Sequence, residues 1–200
     1  MIPIADVQWF SLSDYPGVPS AIIFTQGCNL ACKYCHNKQL IPIKCTNRKT
    51  YCNPDYVLER LRKIKGKLEG VVITGGEPTV HSDLIWFIKQ IKALGFKVKL
   101  DTNGTNSFKL NWLLYGHLLD YVAIDIKAPW KKYSQITPIS FDVRRHIKWS
   151  LQELKRSKIP YEIRTTFDKS VLNEDDLGII RSYVPEGTLH RVNECVTKRI

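Results

Sequence analysis

Residues 26–37 read Gln26-Gly27-Cys28-Asn29-Leu30-Ala31-Cys32-Lys33-Tyr34-Cys35-His36-Asn37, and the spacing of their three cysteines is typical of a metal site. Cysteine thiolates are the ligands of iron–sulfur clusters, and a four-iron cluster with only three protein thiolates keeps one iron open for another ligand. Ferredoxin motifs that serve only electron transfer supply a full set of cysteines at a different spacing. The stretch therefore predicts a cluster that contacts a substrate or a cofactor.

Three other interpretations use the same residues. The segment Cys32-Lys33-Tyr34-Cys35-His36 matches the C-x-x-C-H pattern of c-type haem attachment, but the only methionine is Met1 and the start of the chain does not resemble a secretion signal. A structural zinc site needs two closely spaced pairs of ligands, and only one pair here has that spacing. Loop cysteines without any metal are the third alternative, and this stretch alone leaves it open.

The composition is that of an ordinary globular domain. Of the 200 residues, 44% are hydrophobic and 24% are charged, which is enough for one good core and too little for two. We expect a single domain, with residues 1–19 as an N-terminal lead-in rich in turn formers and residues 20–200 as the core domain. No apolar run approaches the length of a membrane span, so we expect a cytoplasmic protein without membrane contact.

The cysteine count and the net charge limit the partners. Six cysteines, three of them in one loop, indicate metal or redox chemistry in a reducing compartment rather than a disulfide framework. The formal net charge of +11 would suit nucleic acid, but the basic residues are scattered over helix-like segments and no nucleic-acid-binding motif is present. Nucleic acid is therefore not the expected partner, and the charge is better suited to anionic cofactors or an acidic partner protein.

Short apolar runs alternate with segments of helical periodicity along the chain. We predict strands at 20–26, 71–74, 96–100, 121–124, 161–165 and 188–192. We predict helices from the cap Asn53 to Ile64, from the cap Ser82 to Leu94, and at 108–119, 141–157 and 173–183. Repeated strand–helix units of this length predict parallel strands joined by right-handed crossovers, and hence an α/β sheet.

A polar motif follows each of the first four predicted strands, and a fifth polar residue lies late in the next strand. In strand order these are the cysteine loop, Gly75-Gly76-Glu77-Pro78, Asp101-Thr102-Asn103-Gly104, Asp125-Ile126-Lys127 and Arg164. Ligands bind at the carboxyl ends of the strands in α/β barrels and in open α/β sheets. One such motif could be a simple turn, but five of them at one edge predict a shared site.

The residue types in these motifs suit a ligand with amine, carboxylate and hydroxyl groups. The glycines Gly75 and Gly76 would let the backbone approach a ligand closely. Lys127 offers a cation to a carboxylate, whereas Asp101 and Asp125 offer acceptors to an ammonium group, a hydroxyl or a metal ion. The alternative for Asp125 and Lys127 is a structural pair at a strand end, because residues two apart on a strand share a face.

The cysteine motif, with Tyr34 before the third cysteine, and the later Gly75-Gly76-Glu77-Pro78 motif resemble those of the radical S-adenosylmethionine (radical SAM) superfamily. Within it, the chain resembles the activases of glycyl-radical enzymes, most of all the anaerobic ribonucleotide reductase activating proteins. The motifs that give this second resemblance, besides the cysteine loop, are Asp14-Tyr15-Pro16-Gly17, Asp101-Thr102-Asn103-Gly104, Asp125-Ile126-Lys127 and Ile163-Arg164. The resemblance covers about residues 9–167.

The resemblance implies a partial TIM-like barrel of six β/α units with a [4Fe–4S] cluster on Cys28, Cys32 and Cys35. It implies that S-adenosylmethionine binds the open iron and is cleaved reductively to a 5′-deoxyadenosyl radical. That radical would install a glycyl radical on a partner such as anaerobic ribonucleotide reductase. A flavodoxin- or ferredoxin-type protein would donate the electron, and the cofactors would perform the difficult step.

The resemblance also assigns roles to further residues. The loop Gly75-Gly76-Glu77-Pro78 would hold the methionine amine, with Thr102 also beside the cofactor, and Tyr34 would lie by the adenine. Lys127 would serve the methionine carboxylate, together with a candidate monovalent cation at Asp101 and Asp125. Asp14 and Arg164 match positions that meet the glycine loop of the partner enzyme.

Two alternative functions stay open, and three cysteines have no assigned role. A radical SAM enzyme acting on a peptide, a nucleotide or RNA is the first alternative function, and a non-enzymatic iron–sulfur electron-transfer or metal-binding module is the second. Cys45, Cys52 and Cys195 have no trusted metal spacing, so we predict that they are not cluster ligands.

Overall fold

The computed structural model describes residues 1–43 and 52–195. Its strands are β1 (Ile4–Ser11), β2 (Ser20–Thr25), β3 (Gly70–Gly75), β4 (Lys97–Thr102), β5 (Tyr121–Asp125), β6 (Tyr161–Phe167) and β7 (Leu189–Glu194). They form one seven-stranded sheet in which each strand lies beside its predecessor in the chain. β1 is antiparallel to β2, and all later neighbours pair in parallel. The six parallel strands confirm the predicted α/β partial barrel.

The helices connect the parallel strands. They are α1 (Pro54–Ile64), α2 (Leu84–Ala93), α3 (Ser107–Tyr115), α4 (Tyr133–Ile136), α5 (Val143–Ser157) and α6 (Glu174–Arg181). α1 begins as predicted, because the Asn53 side chain accepts a hydrogen bond from the Asp55 backbone N–H at 2.8 Å. The predicted cap of α2 is wrong by one residue: the cap is Asp83, whose side chain makes no capping bond. None of the helices in residues 1–43 and 52–195 has the length and apolar character needed to span a membrane.

Strand β1 lies within the expected lead-in of residues 1–19, where the sequence analysis predicted no strand. Ile4 is fully buried, and the strand pairs with β2 from Ile4↔Thr25 to Ser11↔Ser20. Two register irregularities, between Ile4 and Asp6 and between Gln8 and Ser11, break the two-residue alternation of buried and exposed side chains. That alternation is the usual sequence signal for a strand, so the bulges hid β1 from the sequence analysis.

The two faces of the sheet have different roles. The outer face packs against the helices through an apolar row that includes Ile23, Ile73, Leu100, Ile124 and Ile163. The inner face bears a small apolar cluster of Tyr15, Val18, Ile22 and Val72 near the amino ends of the strands. Charged side chains follow toward the carboxyl ends of the same face, since the register places Lys99 beside Val72 and Arg164 beside Asp125. The helices therefore cover one face and leave a polar surface on the other.

Candidate active site

A cavity opens on the inner face at the carboxyl ends of the strands, where the sequence predicts the site. Its lining includes most of the predicted residues: Cys28, Cys32, Tyr34, Cys35, Gly75, Gly76, Glu77, Asp101, Thr102, Asp125, Lys127 and Arg164. It also contains residues that the sequence analysis did not assign, namely Leu30, His36, Asn37, Ile41, Thr74, Asn103 and Thr166. Loops and strand ends from β2 to β6 thus meet around one space.

Backbone hydrogen bonds from neighbouring segments hold the cysteine loop in place. The N–H groups of Gly27 and Cys28 donate to the carbonyls of Leu40 and Ile41 at 2.7 and 3.0 Å. Further along, the Ala31 N–H donates to Thr137 Oγ1 at 2.8 Å, and the Lys33 N–H donates to the Ile136 carbonyl at 2.9 Å. The segment around α4 therefore supports the loop between its first and third cysteines.

Two asparagines fix the first turn of the same loop. Asn29 Nδ2 donates to Thr105 Oγ1 at 2.7 Å, and Asn103 Nδ2 donates to Asn29 Oδ1 at 2.9 Å. The loop after β4 thus contacts the residue that follows Cys28. Sequence analysis missed Asn29 because a polar residue between cysteines has no distinctive pattern of its own.

The three cysteines lie together on the lining of the cavity, where they could hold a cluster. The described residues contain no group of three or more His, Cys, Asp or Glu side chains that could hold a metal ion, yet Cys28, Cys32 and Cys35 line the same cavity. A tetrahedral zinc ion would require its sulfur ligands to converge, with Zn–S bonds of about 2.3 Å. Three cysteines on one cavity lining match the ligand set of a cluster whose irons each take one thiolate.

Burial keeps the thiols of Cys28 and Cys32 protonated when no metal is bound. It raises the pKa of the Cys28 thiol to about 12, and it raises the pKa of Cys32 as well. A metal ligand must be the thiolate, so cluster binding has to displace these protons. The Tyr34 hydroxyl is also buried and has no hydrogen-bond partner among the described residues, which leaves a polar group for a ligand in the cavity.

Glu77 joins the loop after β3 to the loop after β4. Its side chain is 1% exposed. Oε1 accepts hydrogen bonds from the backbone N–H of Thr79 at 3.1 Å, from the hydroxyl of Thr79, and from Thr102 Oγ1 at 2.7 Å. Oε2 accepts from the Asn103 N–H at 2.6 Å. Burial raises the pKa of Glu77 while these donors act to lower it. Both carboxylate oxygens are thus engaged within the protein.

The glycines before Glu77 are required by backbone packing. Gly75 has a φ of +117°, in the region that favours glycine, and a Cβ there would overlap the backbone of Thr25. A Cβ at Gly76 would overlap the carbonyl of Gly27. The sequence analysis attributed both glycines to close approach of a ligand. Both line the cavity, so that role stays a prediction, and the packing against Thr25 and Gly27 is a second reason for glycine.

A chain of ion pairs crosses the inner face below the cysteine loop. Lys99 pairs with Asp101, which Arg164 contacts at 3.1 Å. Arg164 also contacts Asp125 at 3.2 Å, and Asp125 contacts Lys127 at 3.1 Å. Lys99 is 1% exposed and was missed, although it lies two residues before Asp101 and therefore on the same face of β4.

The charged groups in this chain of ion pairs shift one another's pKa values. Burial acts to raise the pKa of Asp125, but Lys127 and Arg164 outweigh it and hold that pKa below the ordinary value. Burial likewise acts to lower the pKa of Lys127, whereas Asp125 and nearby Tyr34 raise it well above the ordinary value. The Lys127 backbone N–H donates to the Tyr133 hydroxyl at 3.1 Å, so α4 also positions this lysine. Asp125 and Lys127 therefore remain ionised near neutral pH.

Two predicted site residues do not line the cavity. Pro78 is buried just behind the Glu77 loop. Asp14 is exposed in the β1–β2 connection, where its carboxylate accepts a hydrogen bond from Ser13 Oγ at 3.0 Å. This connection lies at the amino end of β2, and a strand of six residues is about 17 Å long, so Asp14 is at the opposite end of the sheet.

Two of the remaining cysteines, Cys52 and Cys195, lie outside the cavity lining. The Cys52 backbone N–H donates to the Ile4 carbonyl at 2.9 Å, beside β1. Cys195 follows β7, and its Sγ is 3.8 Å from His36 Nε2, next to the cysteine loop. Cys45 lies outside the described residues. That these three do not bind the cluster stays a prediction.

Comparisons with known proteins identify one family. The Radical SAM superfamily matches residues 22–172. A Methanocaldococcus jannaschii protein named "Putative glycyl-radical enzyme activating enzyme" is 34% identical over 198 residues, covering 96% of this chain and 79% of that protein. A "Probable GTP 3',8-cyclase" of Pyrococcus horikoshii is 29% identical over 168 residues, which are 82% of this chain and 51% of the cyclase.

The solved structures extend the comparison of folds. Native anSMEcpe with bound AdoMet superposes with a TM-score of 0.65 at 16% identity, over 86% of this chain and 49% of that one. This chain therefore spans about half the length of that structure and of the cyclase. At this identity, the likeness shows the fold alone.

Proposed function

The chain belongs to the radical SAM superfamily, and from this premise we propose that it is an activase that installs a glycyl radical on a larger partner enzyme. The family makes it a radical SAM enzyme and implies a [4Fe–4S] cluster and S-adenosylmethionine as cofactors. The finer assignment is supported by its similarity to the M. jannaschii protein over nearly the whole chain. Anaerobic ribonucleotide reductase is the proposed class of partner.

In this proposal Cys28, Cys32 and Cys35 hold the cluster, and the residues around the cavity hold S-adenosylmethionine. When bound, the reduced cluster supplies the electron that cleaves S-adenosylmethionine to a 5′-deoxyadenosyl radical, which takes a hydrogen atom from the substrate. The protein positions its ligands and excludes water. Glu77 acts indirectly. Both of its oxygens accept hydrogen bonds within the protein, and these bonds hold the loop whose backbone would face the methionine amine.

Lys127 is the proposed partner of the methionine carboxylate. It stays protonated, its Nζ is 3.1 Å from Asp125, and it lines the cavity beside Cys32. A monovalent cation at Asp101 and Asp125 stays a prediction. Lys99, Arg164 and Lys127 already neutralise these two carboxylates, so a cation would have to displace one of the basic side chains.

Asp14 and Arg164 are proposed to meet the glycine segment of the partner. They lie at opposite ends of the strands: Asp14 is at the amino ends, and Arg164 lies beside the cavity at the carboxyl ends. A segment that contacts both must run along the inner face from the amino ends toward the cavity. This route is open to test by placing substitutions along it.

The convergence of three cysteines with Lys127 and Tyr34 in one cavity is the observation that supports the proposal most. The experiment is anaerobic incubation of the reduced, cluster-loaded protein with S-adenosylmethionine and an anaerobic ribonucleotide reductase from the same organism. We expect the doublet of a glycyl radical by electron paramagnetic resonance. Its reproducible absence with an intact cluster would contradict the activase assignment.

Cysteine substitutions provide the matched control. Cys28→Ala, Cys32→Ala and Cys35→Ala are each expected to abolish cluster loading and S-adenosylmethionine cleavage, because an iron loses its ligand. Cys52→Ala, at a cysteine beside β1, should leave both nearly unchanged. Iron analysis and quantification of 5′-deoxyadenosine measure the two effects. Loss of the cluster in Cys52→Ala would overturn the ligand assignment.

A radical SAM enzyme acting on a nucleotide is the second candidate. It is favoured by the 29% identity to the GTP cyclase relative and by the net charge of +11. Deuterium transfer from a labelled nucleotide into 5′-deoxyadenosine, without any protein substrate, would support this candidate instead.

A further inference from the structure

A second cleft lies outside the cavity, on the helix-covered side of the sheet. It is formed by the connection between β5 and α4, by α5 and by α6. We call it the basic cleft and define it by Trp130, Lys131, Arg144, Lys148, Ile179 and Tyr183. The connection leaves the carboxyl end of β5, and Arg144 lies in the first turn of α5, so the cleft is at the same end of the sheet as the cysteine loop.

The centre of the basic cleft is aromatic and apolar. The Trp130 ring stacks on Tyr183 with a centroid distance of 4.4 Å and on Tyr133 with a distance of 5.8 Å. Ile179 is 44% exposed beside this stack. The Trp130 indole N–H is buried and has no hydrogen-bond partner among the described residues. An apolar aromatic centre within a polar rim is the usual anatomy of a protein–protein interface.

Apart from the ion pair of Lys132 with Asp176, the charged side chains that line the cleft are all basic. Lys131, Arg144 and Lys148 are exposed, and none of them forms an ion pair with an acidic residue in the part of the chain that the structure describes. Lys132 differs, because Asp176 neutralises it at 2.6 Å. Three uncompensated cations around an apolar centre favour a partner with an acidic surface, since complementary charge speeds and orients association.

The segment beside the basic cleft is the same one, around α4, that supports the cysteine loop. Tyr133, which stacks on Trp130, also accepts the hydrogen bond from the Lys127 backbone N–H. Ile136 and Thr137, three and four residues further on, accept the hydrogen bonds from Lys33 and Ala31 in the cysteine loop. A protein in the cleft would therefore be separated from the cysteines by one short helical segment.

We propose that the basic cleft docks the acidic one-electron donor protein of the enzyme. Reductive cleavage of one S-adenosylmethionine consumes one electron, which a flavodoxin hydroquinone can give while it becomes a semiquinone. A protein substrate is a poorer fit, because a substrate must enter the cavity on the inner face and the cleft is on the outer one. The inference rests on the reductive chemistry of the proposed function and not on the identity of the glycyl-radical partner.

The test compares a protein donor with a chemical one. Lys131→Glu/Lys148→Glu reverses two exposed rim charges that play no part in the cavity. With flavodoxin hydroquinone as the donor, we expect formation of 5′-deoxyadenosine by the cluster-loaded variant to be about tenfold slower than wild type. With dithionite, the rate should be unchanged. Calorimetric titration with oxidised flavodoxin should show affinity weaker by about tenfold, and a smaller dependence of affinity on salt.

The matched control is Arg62→Glu/Lys67→Glu, which makes the same change of net charge at exposed positions near the end of α1, at the amino ends of the strands. It should keep the flavodoxin-driven rate. Equal loss in the control, equal loss with dithionite, or unchanged binding in the cleft variant would each overturn the proposal. So would a wild-type protein that binds neither flavodoxin nor a ferredoxin. Because 5′-deoxyadenosine forms without the glycyl-radical partner, failure of radical transfer would be seen separately by electron paramagnetic resonance.

Discussion

Glu77 shows at the scale of a single residue how a motif position can serve the site without touching a ligand. Its carboxylate accepts hydrogen bonds from three residues, Thr79, Thr102 and Asn103. We expect Glu77→Gln to destabilise the fold by about 2–4 kcal/mol, because the amide NH₂ would face donors and leave buried groups unpaired. Urea unfolding of the wild type and the variant measures the difference.

The matched control for Glu77 is Glu69→Gln. Glu69 is an exposed acid whose ion pair with Lys97, at 3.2 Å, lies on the surface. Exposed pairs contribute about 0–1 kcal/mol, so this variant should unfold within that range of wild type. Equal stability of Glu77→Gln and Glu69→Gln would contradict the role given to Glu77.

Lys127 and Arg164 together set the acid response of the ion-pair chain. Because the pKa of Asp125 is held below its ordinary value, the pair stabilises the fold above the unfolded-state pKa of about 3.9. That stability is lost as the pH falls below this value, through the lower folded-state pKa. Arg164→Gln should raise the Asp125 pKa, lower the stability at pH 7 and make the loss toward pH 3 shallower. Urea unfolding of the metal-free chain at both pH values tests this.

Lys97→Gln is the control for this pH dependence, because it removes a basic residue from an exposed surface pair. Its stability should fall with pH as steeply as that of the wild type. An Arg164→Gln variant that keeps the wild-type slope would show that Lys127 alone controls Asp125.

At the scale of elements, the parallel strands and their helices could be predicted, whereas β1 could not. The parallel strands are short apolar runs that end in polar motifs, and each one lies within two residues of its predicted start. β1 is irregular in register and exposes Phe10, so its sequence lacks the alternation that would have revealed it. Boundaries set by backbone geometry were also missed: α3 ends at Tyr115 because His117 adopts a φ of +52°.

Gly76 tests whether the loop after β3 depends on contact with the cysteine loop. A Cβ at this position would overlap the backbone carbonyls of Gly27 and Leu40, and neither of these groups can rotate away as a side chain could. We expect Gly76→Ala to cost about 3 kcal/mol, at the upper end for an overpacked site, and to reduce cluster loading. Thermal unfolding and iron content measure these two effects.

Gly178→Ala is the matched change in open space. Gly178 lies within α6, and nothing lies within 4 Å of an added Cβ. Alanine is favoured over glycine in a helix by about 1 kcal/mol, so this variant should be more stable than wild type. If Gly76→Ala were stabilised to the same extent, the loops would not be in the contact that the structure shows.

At the scale of the whole molecule, the sequence predicted which residues face the cavity but not what they do to one another. Parallel strands place their carboxyl ends at one edge, which was enough to bring together the cysteine loop, Asp101, Asp125, Lys127 and Arg164. The contacts of Arg164 with Asp101 and Asp125 depend on the distances between strands. Lys99 was missed although it lies only two residues before Asp101, and the packing of the glycines against Thr25 and Gly27 was not predicted.

The cavity joins loops and strand ends from β2 to β6, so a ligand bound there should stabilise the molecule as a whole. A ligand that binds only the folded state adds about 2.7 kcal/mol at a concentration of 100 Kd. For a chain of this size, that corresponds to a rise in Tm of about 5–10 °C. We expect this rise when S-adenosylmethionine is added to the cluster-loaded protein, measured anaerobically by circular dichroism.

Cys32→Ala, which should lack the cluster, is expected to show little or no rise, because the open iron is a principal binding group. An equal rise in both proteins would mean that the cavity residues bind the cofactor without the cluster, and no rise in either would place the cofactor elsewhere.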